Sequence, residues 1–77
     1  DSSGAQMNSV QSGFEYAAVS AYMRAQAGDI NGMGRQLAAA HALAVWACPD
    51  LLDRYQALET ECWQEYEQWK TTNGAAA

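Results

Sequence analysis

From Pro49 to Lys70 the apolar positions Leu51, Tyr55, Leu58, Cys62, Tyr66 and Trp69 recur at spacings of 4, 3, 4, 4 and 3 residues. That is the period of one face of an α-helix, with a near-heptad rhythm. Pro49 suits the first position of such a helix. Asp50 and Asp53 fall in its first turn and Lys70 in its last, each matched to the helix dipole. The spacing predicts one uninterrupted amphipathic helix over about 49–70.

Two more helices are expected upstream. Over 9–27, Val10, Phe14, Ala17, Ala18, Ala21 and Ala25 form one apolar stripe. Tyr16, Val19 and Met23 form a second on nearly the opposite side. Ser12 and Glu15 have the S-x-x-E spacing of a capping box, which places the start at Ser9 or Ser12. Gly28 is positioned to close this helix in a left-handed conformation. The Gly-, Asp- and Asn-rich run from Ala27 to Gly34 reads as a loop. From about Gly32 to Ala47 the chain is apolar almost all round. Met33, Leu37, Ala40 and Ala44 share one side, Ala39, Leu43, Trp46 and Ala47 another, and Ala38 and Val45 a third. Pro49 ends this helix, because it disfavours helical geometry at the residue before it. No stretch alternates with period two over the length of a strand.

The expected fold is therefore all-α. A helical hairpin (about 9–27 and 32–47) is followed by a longer C-terminal amphipathic helix (49–70). These make a single helical domain over 9–72, between a flexible N-terminal segment at 1–8 and a flexible tail at 73–77. Met7 fits a native start, with the six residues before it and the closing alanine triplet as cloning remnants.

A helix apolar on every side is buried on every side or spans a membrane. The middle helix is too short to span, and three short helices do not easily surround one of their own. Alanine softens the argument, since it is the best helix former and is comfortable on a surface. Size adds weight to it. A chain of 77 residues buries only about 60% of its unfolded surface. Such chains usually add disulfides, a metal or oligomerisation. One His and two separated Cys make no zinc set. If one helix runs from Pro49 through Cys62, Cys48 and Cys62 lie about 20 Å apart at roughly 1.5 Å per residue. A disulfide needs Cα atoms within about 7 Å. Both thiols are then reduced, or they pair between chains, or the last helix is broken in two. Reduced thiols come first, since buried free Cys behaves as a small hydrophobe. What remains is a homodimer or a protein partner.

Charge narrows the partner. Nine acidic residues against four basic ones give a net charge of −5. Four cations cannot neutralise a run of phosphates, so nucleic acid and anionic membrane are not expected. Mimicry of nucleic acid would need denser charge on one face. No apolar run approaches the roughly 20 residues that span a bilayer. The longest, Leu37 to Cys48, is interrupted by His41. Reduced thiols favour the cytoplasm, with a secreted or periplasmic location open if a signal peptide was removed before Asp1.

Candidate chemistry is sparse. His41 has only Ala and Leu around it, where a general base needs an orienting carboxylate and a nucleophile. Cys48 before Pro49 sits where a thiolate could be stabilised, but it has no Cys-x-x-Cys partner and no nearby His. Glu59, Glu61, Glu65 and Glu67 form no calcium loop. Gly32 and Gly34 lack the strand and Lys of a phosphate loop. Met7, Met23 and Met33 read as gap-fillers. No enzyme activity, cofactor or metal is expected. The order of helix, Gly-Asp turn and Ala-rich helix has the outline of a tetratricopeptide unit. The W-x-x-L-G-x-x-Y opening and the A-x-x-x-F register are absent, and one unit falls short of the three or so needed for stability. No family is assigned.

The aromatic group Trp63, Tyr66 and Trp69 is the candidate site. Trp and Tyr are enriched at interface hot spots, and the interleaved Glu59, Glu61, Glu65 and Glu67 would select a basic partner surface. The competing expectation is that these rings cap a small core. The function expected is a small acidic module that occludes a partner protein, as inhibitors and immunity proteins do. The alternative is a structural subunit or assembly factor docked permanently in a larger complex.

Overall fold

The computed structural model describes residues 2–74, with side chains from 9 to 74. It has three helices: α1 (Ser2–Gln26), α2 (Ile30–Trp46) and α3 (Leu52–Trp69). A 3-10 turn (Pro49–Leu51) leads into α3, and a π turn (Lys70–Gly74) follows it. There is no strand among the described residues.

The turn between α1 and α2 is built from local chemistry. Gly28 has φ +79°, the left-handed conformation that glycine adopts at no steric cost. The Asp29 amide donates to the Arg24 carbonyl (2.9 Å) and the Gly28 amide to the Ala25 carbonyl (3.1 Å). These are the two bonds of a Schellman motif, and they satisfy carbonyls that the helix end leaves free. Asp29 then caps α2, its carboxylate accepting from the Gly32 amide at 2.9 Å. Arg24 donates to the other oxygen at 3.0 Å. The amide bond first, and Arg24 second, hold the Asp29 carboxyl below the usual carboxylate range. This cap starts α2 at Ile30, two residues before the expected Gly32.

Other boundaries differ for similar reasons. The capping box at Ser12 and Glu15 is not used, since α1 begins at Ser2 and both residues lie inside it. No Pro precedes Ser9 to stop the helix, and Glu15 forks onto Arg54 of α3 instead. Pro49 does not open α3 itself. Cys48 before it is extended (φ −150°, ψ 85°), as the residue before a proline prefers, and a 3-10 turn intervenes. Residues 75–77 of the expected tail lie outside the described residues.

α2 folds back on α1, and α3 returns beside α1. Arg54 bonds Glu15, and Gln26 bonds Glu65, both at a separation of 39 residues. A constant offset means that α1 and α3 run parallel. α1 packs most extensively on α2, less on α3. The molecule is a rod of 54 × 17 × 13 Å.

The core follows the three predicted stripes. Phe14, Ala17, Ala18, Ala21 and Ala25 of α1 are buried against Met33, Leu37, Ala40 and Ala44 of α2 and Leu58 and Cys62 of α3. Leu51, Tyr55 and Tyr66 are half-buried around it. Gly13 lets α2 come close, since a Cβ there would stand 3.3 Å from Leu43 Cδ1. Of the three sides of α2, the Met33 side is buried, and from the second side Leu43 alone packs against the core. Ala38, Ala39, Ala42, Val45 and Trp46 face outward. Most of that surplus is alanine, which tolerates exposure, but Trp46 at 85% exposed does not fit that account.

Candidate functional site

α3 sorts its side chains onto three sides. Leu58, Cys62, Tyr66 and Trp69 turn toward the core or its rim. Trp69 lays its indole over Gly28, so close that a Cβ there would strike the ring. Arg54, Glu61 and Glu65 lie on the side facing α1. Arg54 and Glu61 line a groove of 380 Å³ with Phe14, Val19 and Tyr22, and Glu65 accepts from Gln26 at 3.3 Å. On the side away from α1, Glu59, Trp63 and Glu67 form a straight line at spacing four, with Thr60 and Gln64 beside them. Only α3 and the turn after it supply walls here, so this is an open shelf rather than a cavity.

The predicted aromatic group is a physical group. Trp63 meets Tyr66 edge-on with centroids 5.9 Å apart, and Tyr66 stacks on Trp69 at 6.1 Å. Edge-on and offset stacks are the arrangements that the ring quadrupole favours. Their exposures differ, though. Trp63 is 41% exposed, whereas Tyr66 and Trp69 are half-buried and close the open end of the core. Tyr66 packs on the core and Trp69 on Gly28, and the third ring stands against Tyr66 facing outward.

The four predicted acids divide likewise. Glu59 and Glu67 flank Trp63, while Glu61 and Glu65 face α1. Glu59 accepts from the Tyr55 hydroxyl at 3.3 Å, and Glu67 has Lys70 at 3.3 Å on exposed, flexible stems, a pairing of little strength in water. Burial first, and then Glu59, raise the Tyr55 pKa. The charge of Glu65 is the main cause of the raised Tyr22 pKa.

The Cys62 thiol, buried among apolar groups, is pushed up to about 11 by that burial, with Glu61 and Glu65 adding. A thiol so far from ionising is a poor nucleophile. Both cysteines are free and buried, and α3 is unbroken, so no intrachain bridge forms. His41 is exposed and lies against Tyr55, centroids 4.9 Å apart. Among the described residues no cluster of three or more His, Cys, Asp or Glu is placed to hold a metal. Among the described residues no helix is long and apolar enough to cross a membrane.

Two exposed features were not among the predicted site residues. Tyr16, Val19 and Met23 were legible as a second stripe on α1, and they are 76%, 58% and 61% exposed. Trp46 lies on the side of α2 opposite Met33 and Leu37. Its angular position, roughly two-thirds of a turn from Met33 at about 100° per residue, is the signal that separates it from the core.

Known proteins offer no guide. The chain matches no family model, and no curated protein or solved structure is detectably similar to it.

Proposed function

We propose that this chain is a small acidic helical protein-interaction module. It works as an inhibitor- or immunity-type antagonist that occludes a basic surface of a partner protein through α3. It does so as a homodimer, in the reducing cytoplasm that its two free, buried thiols suit. The observation that carries this reading is the Glu59–Trp63–Glu67 line. An exposed indole meets Tyr66 edge-on, and Tyr66 is in turn stacked on Trp69, with a carboxylate one turn to either side. Rigid support limits the entropy lost when an anchor is immobilised on binding. Trp63 enters a pocket on the partner, the outer edges of Tyr66 and Trp69 widen the contact, and Glu59 and Glu67 pair with Lys or Arg at its rim. Glu61 and Glu65 add to the negative field that steers encounter.

The alternative, a subunit docked permanently in a larger complex, is favoured by Trp46 and by the uncharged stripe on α1. Both offer apolar contact without acids.

Affinity capture from the source cell's lysate separates the two. The wild type is run beside Trp63→Ala and beside Glu59→Gln/Glu67→Gln, each first shown to be folded. The expected result is one partner, held by wild type and lost by Trp63→Ala. Its on-rate falls steeply as salt rises, and the Gln variant blunts that dependence. A partner retained by both variants, with a salt-independent on-rate, rejects the antagonist reading in favour of the docked subunit.

A further inference from the structure

The outward side of α1 bears three large apolar side chains in a row, Tyr16, Val19 and Met23, all more than half exposed. Small or polar residues flank them: Ser12, Ser20 and Ala27. Two neighbouring charges are already occupied, while Glu61 borders the groove beside Val19. Glu15 forks onto Arg54, and Arg24 is tied to Asp29 at 3.0 Å. The stripe itself carries no charge to offer an ionic partner. Whatever covers it must be apolar and uncharged as well, and monomers rarely leave such patches open.

A second copy of this chain meets that requirement, and charge says where it must approach. Two molecules of net charge −5 repel wherever α3 faces α3. From Ser9 to Ala27, α1 carries one acid and one base, Glu15 and Arg24. Its outward side is a long face where two copies meet at no net electrostatic cost. We propose that the Tyr16–Val19–Met23 stripe is the dimer seam, two α1 helices packing antiparallel about a two-fold axis near Val19 and Ser20. This rests on the homodimer reading given above and names its interface.

The stripe is complementary to itself, as a two-fold interface must be. Tyr16 lies one turn before the axis and Met23 one turn after it. Antiparallel packing sets each Tyr16 ring against the partner's Met23, a favourable contact of sulfur with an aromatic edge. Val19 meets the partner's Val19. The two Glu15 carboxylates end on opposite sides of the axis, about 13 Å apart along it at roughly 1.5 Å per residue. That exceeds the screening length of about 8 Å at physiological salt, so the like charges scarcely interact. The Glu59–Trp63–Glu67 line faces away from α1 and stays open in both copies. The dimer would then present two Trp63 faces and bind a multivalent partner with avidity.

Sedimentation velocity on wild type, Val19→Glu and Met23→Lys, with cross-linking of Val19→Cys by a short bismaleimide, tests this. The expected result is a wild-type dimer. Either charged variant should weaken it by on the order of a hundredfold or more, since each buries an unpaired charge, with helicity unchanged because both side chains are exposed. Val19→Cys should cross-link to a covalent dimer while the buried native cysteines do not. A wild-type monomer overturns both the dimer and this seam. A dimer that survives both charged variants overturns the seam alone. Variants that dissociate while Val19→Cys fails to cross-link overturn the two-fold register.

Discussion

Gly28 ties the local chain to the tertiary fold at a single position. It sits at φ +79°, where a side chain is strained, and its α-carbon carries the indole of Trp69. The two demands are independent. One closes α1 in a Schellman motif, and the other docks the end of α3 on that turn. Gly28→Ala meets both penalties, with left-handed strain of about 1 kcal/mol and displacement of the Trp69 ring. The expected loss exceeds 2 kcal/mol in total, with strain and core crowding adding. Thermal melting should then fall by more than about 8 °C for a domain of this size. Trp69→Ala should largely abolish the extra cost of Gly28→Ala, and a double-mutant cycle measures that coupling. Strictly additive losses would mean that the ring does not rest on the turn.

At the level of elements, hydrophobic period proved a better guide than end signals. The stripes through Phe14, Met33 and Leu58 all face the core, because burial over several turns outweighs any one local preference. Boundaries depend on single contacts with non-local or competing partners. Ser12 and Glu15 match a capping box, yet the helix runs through them and Glu15 bonds Arg54, 39 residues away. Nothing in a local window foretells that partner. Ser12→Ala provides the test. At a true N-cap it would cost about 1 kcal/mol. Inside α1 and exposed, it exchanges a modest helix former for the best one. Chemical denaturation should show no loss, and a gain of up to about 0.5 kcal/mol. A loss near 1 kcal/mol would place the working start of α1 at Ser12. The candidate site was legible to the same degree. The stripe rule places Tyr66 and Trp69 inward and puts Trp63 at the edge. Which edge carries which acids depended on where α1 lay, and the offset of 39 residues assigns Glu61 and Glu65 to the α1 side. The surplus on α2 was misleading because a count of apolar residues treats Ala39 and Trp46 alike, although only the second loses much by exposure.

For the whole molecule the limiting quantity is core volume. Among the described residues twelve apolar side chains are buried, and six of them are alanine. Small side chains let three helices approach closely, but each contributes little buried area. Phe14, Met33 and Cys62 are the largest fully buried side chains, and Phe14 touches both neighbouring layers, with Arg54 of α3 lying over its ring at 5.7 Å. At about 0.05–0.15 kcal/mol per residue a chain of this length has a stability of roughly 4–12 kcal/mol. Phe14→Ala should cost about 3–5 kcal/mol, a large part of that total. Circular dichroism should show the variant melting at least about 12 °C below wild type, whereas Met23→Ala, exposed on α1, leaves the melting of dilute protein unchanged. The comparison also reads assembly. If the folded form is a dimer, raising the protein concentration restores Phe14→Ala by mass action. Restoration should fail when Val19→Glu is added, because the concentration dependence then has no interface to act through. A Phe14→Ala variant that melts with wild type at every concentration would remove Phe14 from the centre of the fold.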